Sequence, residues 1–263
     1  MTVVENKKSL EKRNRDKNMV KISYLDKDDL VNRFYVENID STTLNAIRRT
    51  INFNLPVYAI DEIDFIENDS VVVDEMLANR LALCPISTPV ETTGKKVTFT
   101  LEKIGPGVVY SGDLISNDSE VKMVYDNIPL TKLRDTDKIN LVAYAVLGKG
   151  TDHAKFNSTI VGYQQMCELE VLRGCDSCQK CVDACPVKNI KLVSGKPKIE
   201  DPKKCINCQA CVDACPKNCL KLNDIDNYIL SIELIGQMDI LSIIKTTERY
   251  SKEYFMLLKK KFK

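Results

Sequence analysis

Leu44, Ile47, Ile51 and Leu55 recur at intervals of three and four among polar neighbours, which predicts an amphipathic helix. Asp40 or Ser41 is placed to cap its first turn, and Pro56 to end it. Upstream, apolar runs at about 20–25 and 31–37 predict two strands joined by the turn-forming Asp26-Lys27-Asp28-Asp29. Residues 1–18 carry Lys7, Lys8, Lys12, Arg13, Arg15 and Lys17 without any apolar period, so they are expected to form a disordered tail. Met19 stands at the border and is an alternative start for the chain. Downstream, 57–165 reads as a mixed region with short strands, including a short helix over 74–83 and a strand over 97–102.

The C-terminal pattern is a strand at 228–234, with Tyr228, Leu230, Ile232 and Leu234 on one face, followed by a helix over about 238–260. On that helix Ile240, Ile244, Thr247, Tyr250 or Ser251, Tyr254 and Leu258 step by three or four residues. Such a stripe needs a partner, either the chain's own sheet or another subunit. Lys259, Lys260, Lys261 and Lys263 complement the negative end of the helix dipole.

A chain of 263 residues allows one large domain or two to three smaller ones, and 44% hydrophobic residues suffice for a packed core. The charged residues nearly cancel, to a formal +1, which argues against a whole-chain nucleic-acid or membrane-surface binder. No stretch approaches the roughly 18 unbroken apolar residues of a membrane helix, and the N-terminus lacks a signal-peptide core. A cytoplasmic protein is expected. In a reducing compartment its eleven cysteines point to metal ligands rather than disulfides.

Eight of those cysteines form an internal repeat. Cys175, Cys178, Cys181 and Cys185 are followed by Pro186; Cys205, Cys208, Cys211 and Cys215 by Pro216, thirty residues later. Both copies have the C-x2-C-x2-C-x3-C-P spacing of two-cluster ferredoxins. Three cysteines two residues apart wrap a loop around one cluster, while the fourth leaves on a short helix and reaches the other. One [4Fe–4S] cluster is therefore assigned to Cys175, Cys178, Cys181 and Cys215, and a second to Cys205, Cys208, Cys211 and Cys185. One site remains open to a three-iron cluster or to none. Zinc ribbons use two C-x2-C pairs and do not need a third cysteine at the same interval. Of the remaining three, Cys84 and Cys167 sit in apolar surroundings and are expected to be buried, and Cys219 to pack near a cluster without binding it.

Two clusters can carry electrons, as in a ferredoxin, or staple a fold, because metal binding free energy becomes folding free energy. The sequence has no glycine-rich dinucleotide fingerprint and no haem motif. The cluster block is only about a fifth of the chain, and the elements on either side match in type, as in one domain interrupted by insertions.

Four segments then carry a family resemblance. Asp40-Ser41-Thr42-Thr43-Leu44-Asn45-Ala46-Ile47-Arg48-Arg49-Thr50-Ile51, running on through Leu55 to Ile60, resembles the signature of RNA polymerase α-like subunits. Asp74 to Leu81 with Pro85-Ile86, Val109-Tyr110-Ser111-Gly112-Asp113-Leu114, and Gly148-Lys149-Gly150-Thr151-Asp152-His153-Ala154-Lys155 are similar to three further motifs, in the same order. With the ferredoxin-like insert, the resemblance is to the D-type α-like subunits of archaeal DNA-directed RNA polymerases. One departure is Phe156-Asn157-Ser158, where that family would have a tryptophan-containing run ending in proline.

The resemblance implies an α+β fold: a discontinuous α-like dimerisation domain (19–60 plus 223–263), an inserted mixed α/β domain (61–165) and a ferredoxin-like module (166–222). It implies a non-catalytic assembly subunit that pairs with the small subunit L, is joined by small subunits N and P, and carries the large catalytic subunits. DNA would be met only through the complex, with no membrane and no small-molecule substrate. The clusters would support structure or assembly, and redox or oxygen sensing stays open. Partner contacts are expected at Arg48, Arg49, Lys149, His153, Lys155, Ile240, Ile244, Tyr254 and Leu258. No catalytic residue is expected: His153 is the only histidine and has no acid–base partner, and the Gly148–Gly150 loop lacks a P-loop ending.

Overall fold

The computed structural model describes residues 19–28, 30–92 and 94–261, without the side chains of 27, 254, 255 and 257–261. The expected tail at 1–18 and the side chains of Tyr254 and Leu258 therefore lie outside the described residues.

Strand β1 (Lys21–Lys27) pairs antiparallel with β2 (Val31–Glu37), where buried Phe34 and Val36 alternate with more exposed neighbours. Helix α1 (Ser41–Phe53) begins where the Asp40 carboxylate accepts the Thr43 N–H at 2.8 Å and the Thr43 hydroxyl at 2.6 Å. Leu44 and Ile51 form its buried face. The helix stops short of Pro56, which opens strand β3 (Pro56–Asn68) instead.

The middle of the chain supplies α2 (Asp74–Ala82), β4 (Val97–Ile104), β5 (Gly107–Tyr110), β6 (Ile115–Ser116), β7 (Pro129–Leu133) and β8 (Lys138–Lys149). Three of these strands join β3 in a sheet of order β3-β8-β4-β6, and β5 pairs with β7. Leu77 and Leu81 of α2 join Ile60, Phe99, Leu101 and Leu141 in one buried cluster. The sequence predicts short strands here, whereas β3 and β8 run for 13 and 12 residues and pair antiparallel. Bulges between Ile60 and Glu62 and between Phe65 and Glu67 reset the alternation of β3, so no single two-residue period marks it.

The remainder comprises β9 (Thr159–Val171), α3 (Lys180–Asp183), β10 (Ile190–Val193), β11 (Lys196–Ile199), α4 (Ala210–Asp213), β12 (Leu220–Leu234) and α5 (Ile240–Lys261). A second four-stranded sheet has the order β1-β2-β12-β9, and β10 and β11 form a hairpin. Strand β12 starts at Leu220 rather than near 228, because its first half is a mostly polar, only partly buried extension. Helix α5 starts where Asp239 accepts the Ser242 N–H at 2.9 Å.

The described residues fall into two compact units. One draws on 19–28, 32–45 and 162–231, and the other on 30–31, 46–161 and 232–261. Among the described residues no helix is long and apolar enough to cross a membrane.

Candidate metal centres

The two cysteine copies fold alike, residue for residue. Ser177 and Asn207, Gln179 and Gln209, and Lys188 and Asn218 are all left-handed, with φ between 47° and 61°. Gln179 and Gln209 each precede a four-residue helix, and each carbonyl accepts a 2.8 Å bond, from Val182 N–H and Val212 N–H respectively. Left-handed backbone at a non-glycine residue costs on the order of 1 kcal/mol and persists only where surroundings enforce it. With Ser194 at the β10–β11 turn, seven such residues in one short module imply that something holds the loops in place.

The loops enclose two hollows. Cys175, Cys178, Cys181 and Cys215 line the first, and Cys185, Cys205, Cys208 and Cys211 the second. Each hollow thus takes three cysteines from one copy and the fourth from the other. Leu192, Pro197 and Leu220 wall the first, and Ile190, Ile199 and Leu222 the second. Among the described residues, no three His, Cys, Asp or Glu side chains converge closely enough to grip one metal ion. Four repeat thiols on the wall of each hollow are the donor set that a four-iron cluster takes.

Burial raises the Cys181 thiol and pushes Cys211 up to about 11, so metal must displace a proton from each. Cys215 is lowered, chiefly by the backbone N–H of Cys219. Asn189 N–H donates to Cys185 Sγ at 3.3 Å, and Gln164 donates its amide to the Cys205 carbonyl. Asn189 also ties the loop to Asp201, donating to its carbonyl at 2.7 Å and accepting its N–H at 3.0 Å. Such outer contacts orient ligating sulfurs. Neither Asn189 nor Gln164 stands out in the sequence. Only the thirty-residue offset, which pairs Asn189 with Cys219, marks the first, and no local pattern marks the second.

The remaining cysteines are all buried. Cys84 packs on α2, its thiol within reach of the Arg80 carbonyl at 3.4 Å, and burial pushes it up to about 11. Cys219 lines the first hollow, with its Sγ 3.4 Å from Cys215 Sγ. Cys167, on β9, has its Sγ 3.5 Å from Cys205 Sγ.

The other candidate residues lie elsewhere. Arg49 is exposed and Arg48 half-buried on α1. Lys149 sits over the Tyr250 ring at 5.1 Å. His153 is exposed, its Nδ1 accepting the Lys155 N–H at 3.1 Å. The Lys155 ammonium turns inward to Asp61 at 2.5 Å and to the Ile60 carbonyl at 3.1 Å. Ile240 is half-buried and Ile244 exposed.

Comparison with known proteins gives these features a common source. Residues 51–166 match the RNA polymerase Rpb3/RpoA insert domain, and residues 174–220 match the 4Fe-4S dicluster domain. The chain is 34% identical over 242 residues to the DNA-directed RNA polymerase subunit Rpo3 of Archaeoglobus fulgidus, covering 86% of this chain and 92% of the relative. It is 38% identical over 197 residues to that of Methanothermobacter thermautotrophicus, covering 68% and 75%. It is 43% identical over 153 residues to that of Halobacterium salinarum, where the match spans 57% of this chain and only 62% of the relative. The insert domain and the dicluster module together define the class, an α-like RNA polymerase subunit with an iron–sulfur domain. Within that class, the chain belongs to the Rpo3 family.

Proposed function

We propose that the chain is a non-catalytic platform subunit of a cytoplasmic DNA-directed RNA polymerase, in the place that the D-type α-like subunit holds in archaea. The observation that carries this is the Archaeoglobus match, which runs through the insert domain, the cysteine module and the flanking segments alike. Segments 19–60 and 223–263 make up the dimerisation domain that pairs with subunit L. The domain at 61–165 and the module at 166–222 are its insertions. Subunits N and P and the large catalytic subunits assemble on the resulting pair.

Ile240 and Ile244, continuing toward Tyr254 and Leu258, form the pairing stripe, and exposure of Ile244 accords with that role. Arg48 and Arg49 face the large subunits. Lys149 and His153 present the loop to a neighbouring subunit, while Lys155, tied to Asp61, holds that loop in shape.

Two [4Fe–4S] clusters occupy the two hollows, one on Cys175, Cys178, Cys181 and Cys215, the other on Cys205, Cys208, Cys211 and Cys185. When bound, they cross-link the loops through iron–thiolate bonds and can take up an electron. An electron-carrier reading draws on residues 174–220 alone and leaves the rest of the chain without a role. Anaerobic affinity capture of the tagged chain from its native cell tests the proposal. Large polymerase subunits are expected in the eluate at near-equal stoichiometry, and a chain recovered without them would overturn it.

A further inference from the structure

The first hollow is lined by one cysteine more than a four-iron cluster needs, Cys219, and Cys167 stands behind the wall of the second; each extra sulfur lies against a cluster-ligand candidate. Cys167 Sγ lies 3.5 Å from Cys205 Sγ at the second hollow, and Cys219 Sγ lies 3.4 Å from Cys215 Sγ at the first. The extra residues come from unrelated places, Cys167 from β9 and Cys219 from the residue just before β12. Neither belongs to the repeat, where the position thirty residues before Cys219 is Asn189.

We propose that Cys167–Cys205 and Cys215–Cys219 are two disulfide-forming pairs, each of which closes when its hollow has lost its cluster. The proposal rests on the cluster assignment above. A disulfide places its sulfurs at about 2.05 Å, so each pair needs an approach of roughly 1.4 Å.

While a cluster is bound, the sulfur of Cys205 or Cys215 is committed to iron. Once the cluster is gone, that sulfur faces the hollow and a small oxidant can reach it. With a low-molecular-weight disulfide as oxidant, the thiolate of Cys205 attacks one sulfur, forms a mixed disulfide and expels one small thiolate. Cys167, which is buried, then attacks the Cys205 sulfur and passes its proton to the small thiolate as that group leaves. This forms the Cys167–Cys205 bond and releases the second small thiol. Two electrons pass to the oxidant, and no other reactant is consumed. The Cys215–Cys219 pair closes by the same two steps. Each closure withdraws one ligand and leaves its hollow with three thiols, so a cluster cannot be rebuilt until a reductant reopens the bond.

The full chain is purified anaerobically and its iron and sulfide are measured. The clusters are then removed with a chelator, the apoprotein is treated with oxidised glutathione, free thiols are alkylated, and unreduced peptides are mapped by mass spectrometry. Cross-links 167–205 and 215–219 are expected, together with an about tenfold loss of iron and sulfide reloading that dithiothreitol reverses. C167V and C219V, substitutions outside the eight ligands, are expected to carry normal iron as purified and each to lose only its own cross-link. The double variant reloads without reductant. Full alkylation of Cys167 and Cys219 in the oxidised wild-type chain, or cross-links confined to the eight repeat cysteines, overturns the proposal without any variant. Absence of iron and sulfide before chelation would count against the cluster assignment instead, a separate readout from the peptide map.

Discussion

Phe156 packs so closely on Gly148 that a β-carbon at 148 would stand 2.5 Å from Cζ and 2.6 Å from Cε2 of the ring. The ring is buried, and it occupies the position where the resemblance anticipates a tryptophan-containing run. The glycine of this motif is therefore required by a side chain eight residues on, not by a phosphate. Gly148→Ala must displace the ring and is expected to cost about 2 kcal/mol. Urea unfolding should show a lower midpoint with an unchanged slope, and Gly148→Ala combined with Phe156→Leu should recover part of the loss. Additive losses in the double variant would contradict the contact.

Tyr58 is a core residue of β3 whose hydroxyl shares a 2.8 Å hydrogen bond with Thr92 Oγ1 and donates to the Lys95 carbonyl at 3.0 Å. Tyr58→Phe leaves the ring in place and strands both partners, so a destabilisation of about 1–2 kcal/mol is expected in denaturant titration. No measurable change would mean that water replaces the hydroxyl there.

The helices and the cysteine module were legible because each follows one local rule. α1 shows its period and its cap, and its end falls within three residues of the predicted stop. The repeat at 175–216 shows both its loops and, through the crossover rule, which four thiols share a hollow. The long strands were not legible. The first five residues of β3 are all buried, then two bulges shift the phase, so period two never runs long enough to register. Nor does any spacing bring Cys167 to Cys205, because their contact is made by folding between residues 38 positions apart. The stripe on α5 matches the packing surface only in part: Ile243, absent from it, is fully buried, Thr247, within it, is buried, and Ile244, also within it, is 44% exposed.

Lys103 Nζ lies 2.6 Å from the Asp113 carboxylate, which also accepts the Tyr110 N–H at 2.8 Å and so locks the turn at 111–113. Burial raises the Asp113 carboxyl, but the Lys103 ammonium and the Tyr110 N–H outweigh it and leave the group below its ordinary value. A depressed folded-state pKa contributes stability that is complete above the unfolded value of about 3.9 and is lost as pH falls through the folded value. Asp113→Asn should therefore cost about 1 kcal/mol near neutrality, after allowance for solvent screening, and nothing at the lowest pH. Melting temperatures of the two proteins measured from pH 7 down to pH 2 should converge. Parallel curves would remove Asp113 from the account.

Adjacent residues of α5 separate folding from assembly. Ile243 is fully buried, so Ile243→Ala should destabilise the chain by about 2–4 kcal/mol. Ile244→Asp alters an exposed site and should leave the melting temperature of the lone chain within about a degree. On the proposed pairing surface, the same change should weaken capture of the small α-like partner at least about tenfold, because a charge would be buried without a counter-ion. Undiminished capture by the Ile244→Asp protein would place the pairing surface elsewhere.

The clusters are expected to support the fold of their own module and nothing beyond it. Around the hollows the apolar core is small, with Ile190, Ile199, Leu220 and the cysteines themselves as its buried members. Seven left-handed non-glycine residues oppose it, and α3 and α4 are one turn each, too short to stand alone. The insert domain instead has an eighteen-residue buried cluster that owes nothing to metal. Iron removal should therefore unfold the module locally while the insert domain stays closed. Hydrogen exchange read by mass spectrometry should show protection in 180–184, 190–199 and 210–214 falling at least about a hundredfold after chelation, with 56–68 and 138–149 unchanged. The same regional loss is expected without chelation when Cys178→Ser and Cys208→Ser are combined. If exchange rises evenly along the chain, the clusters support the whole fold. If it does not rise at all, the loops hold their shape without metal, and the stapling role assigned to the eight thiols has to be given up.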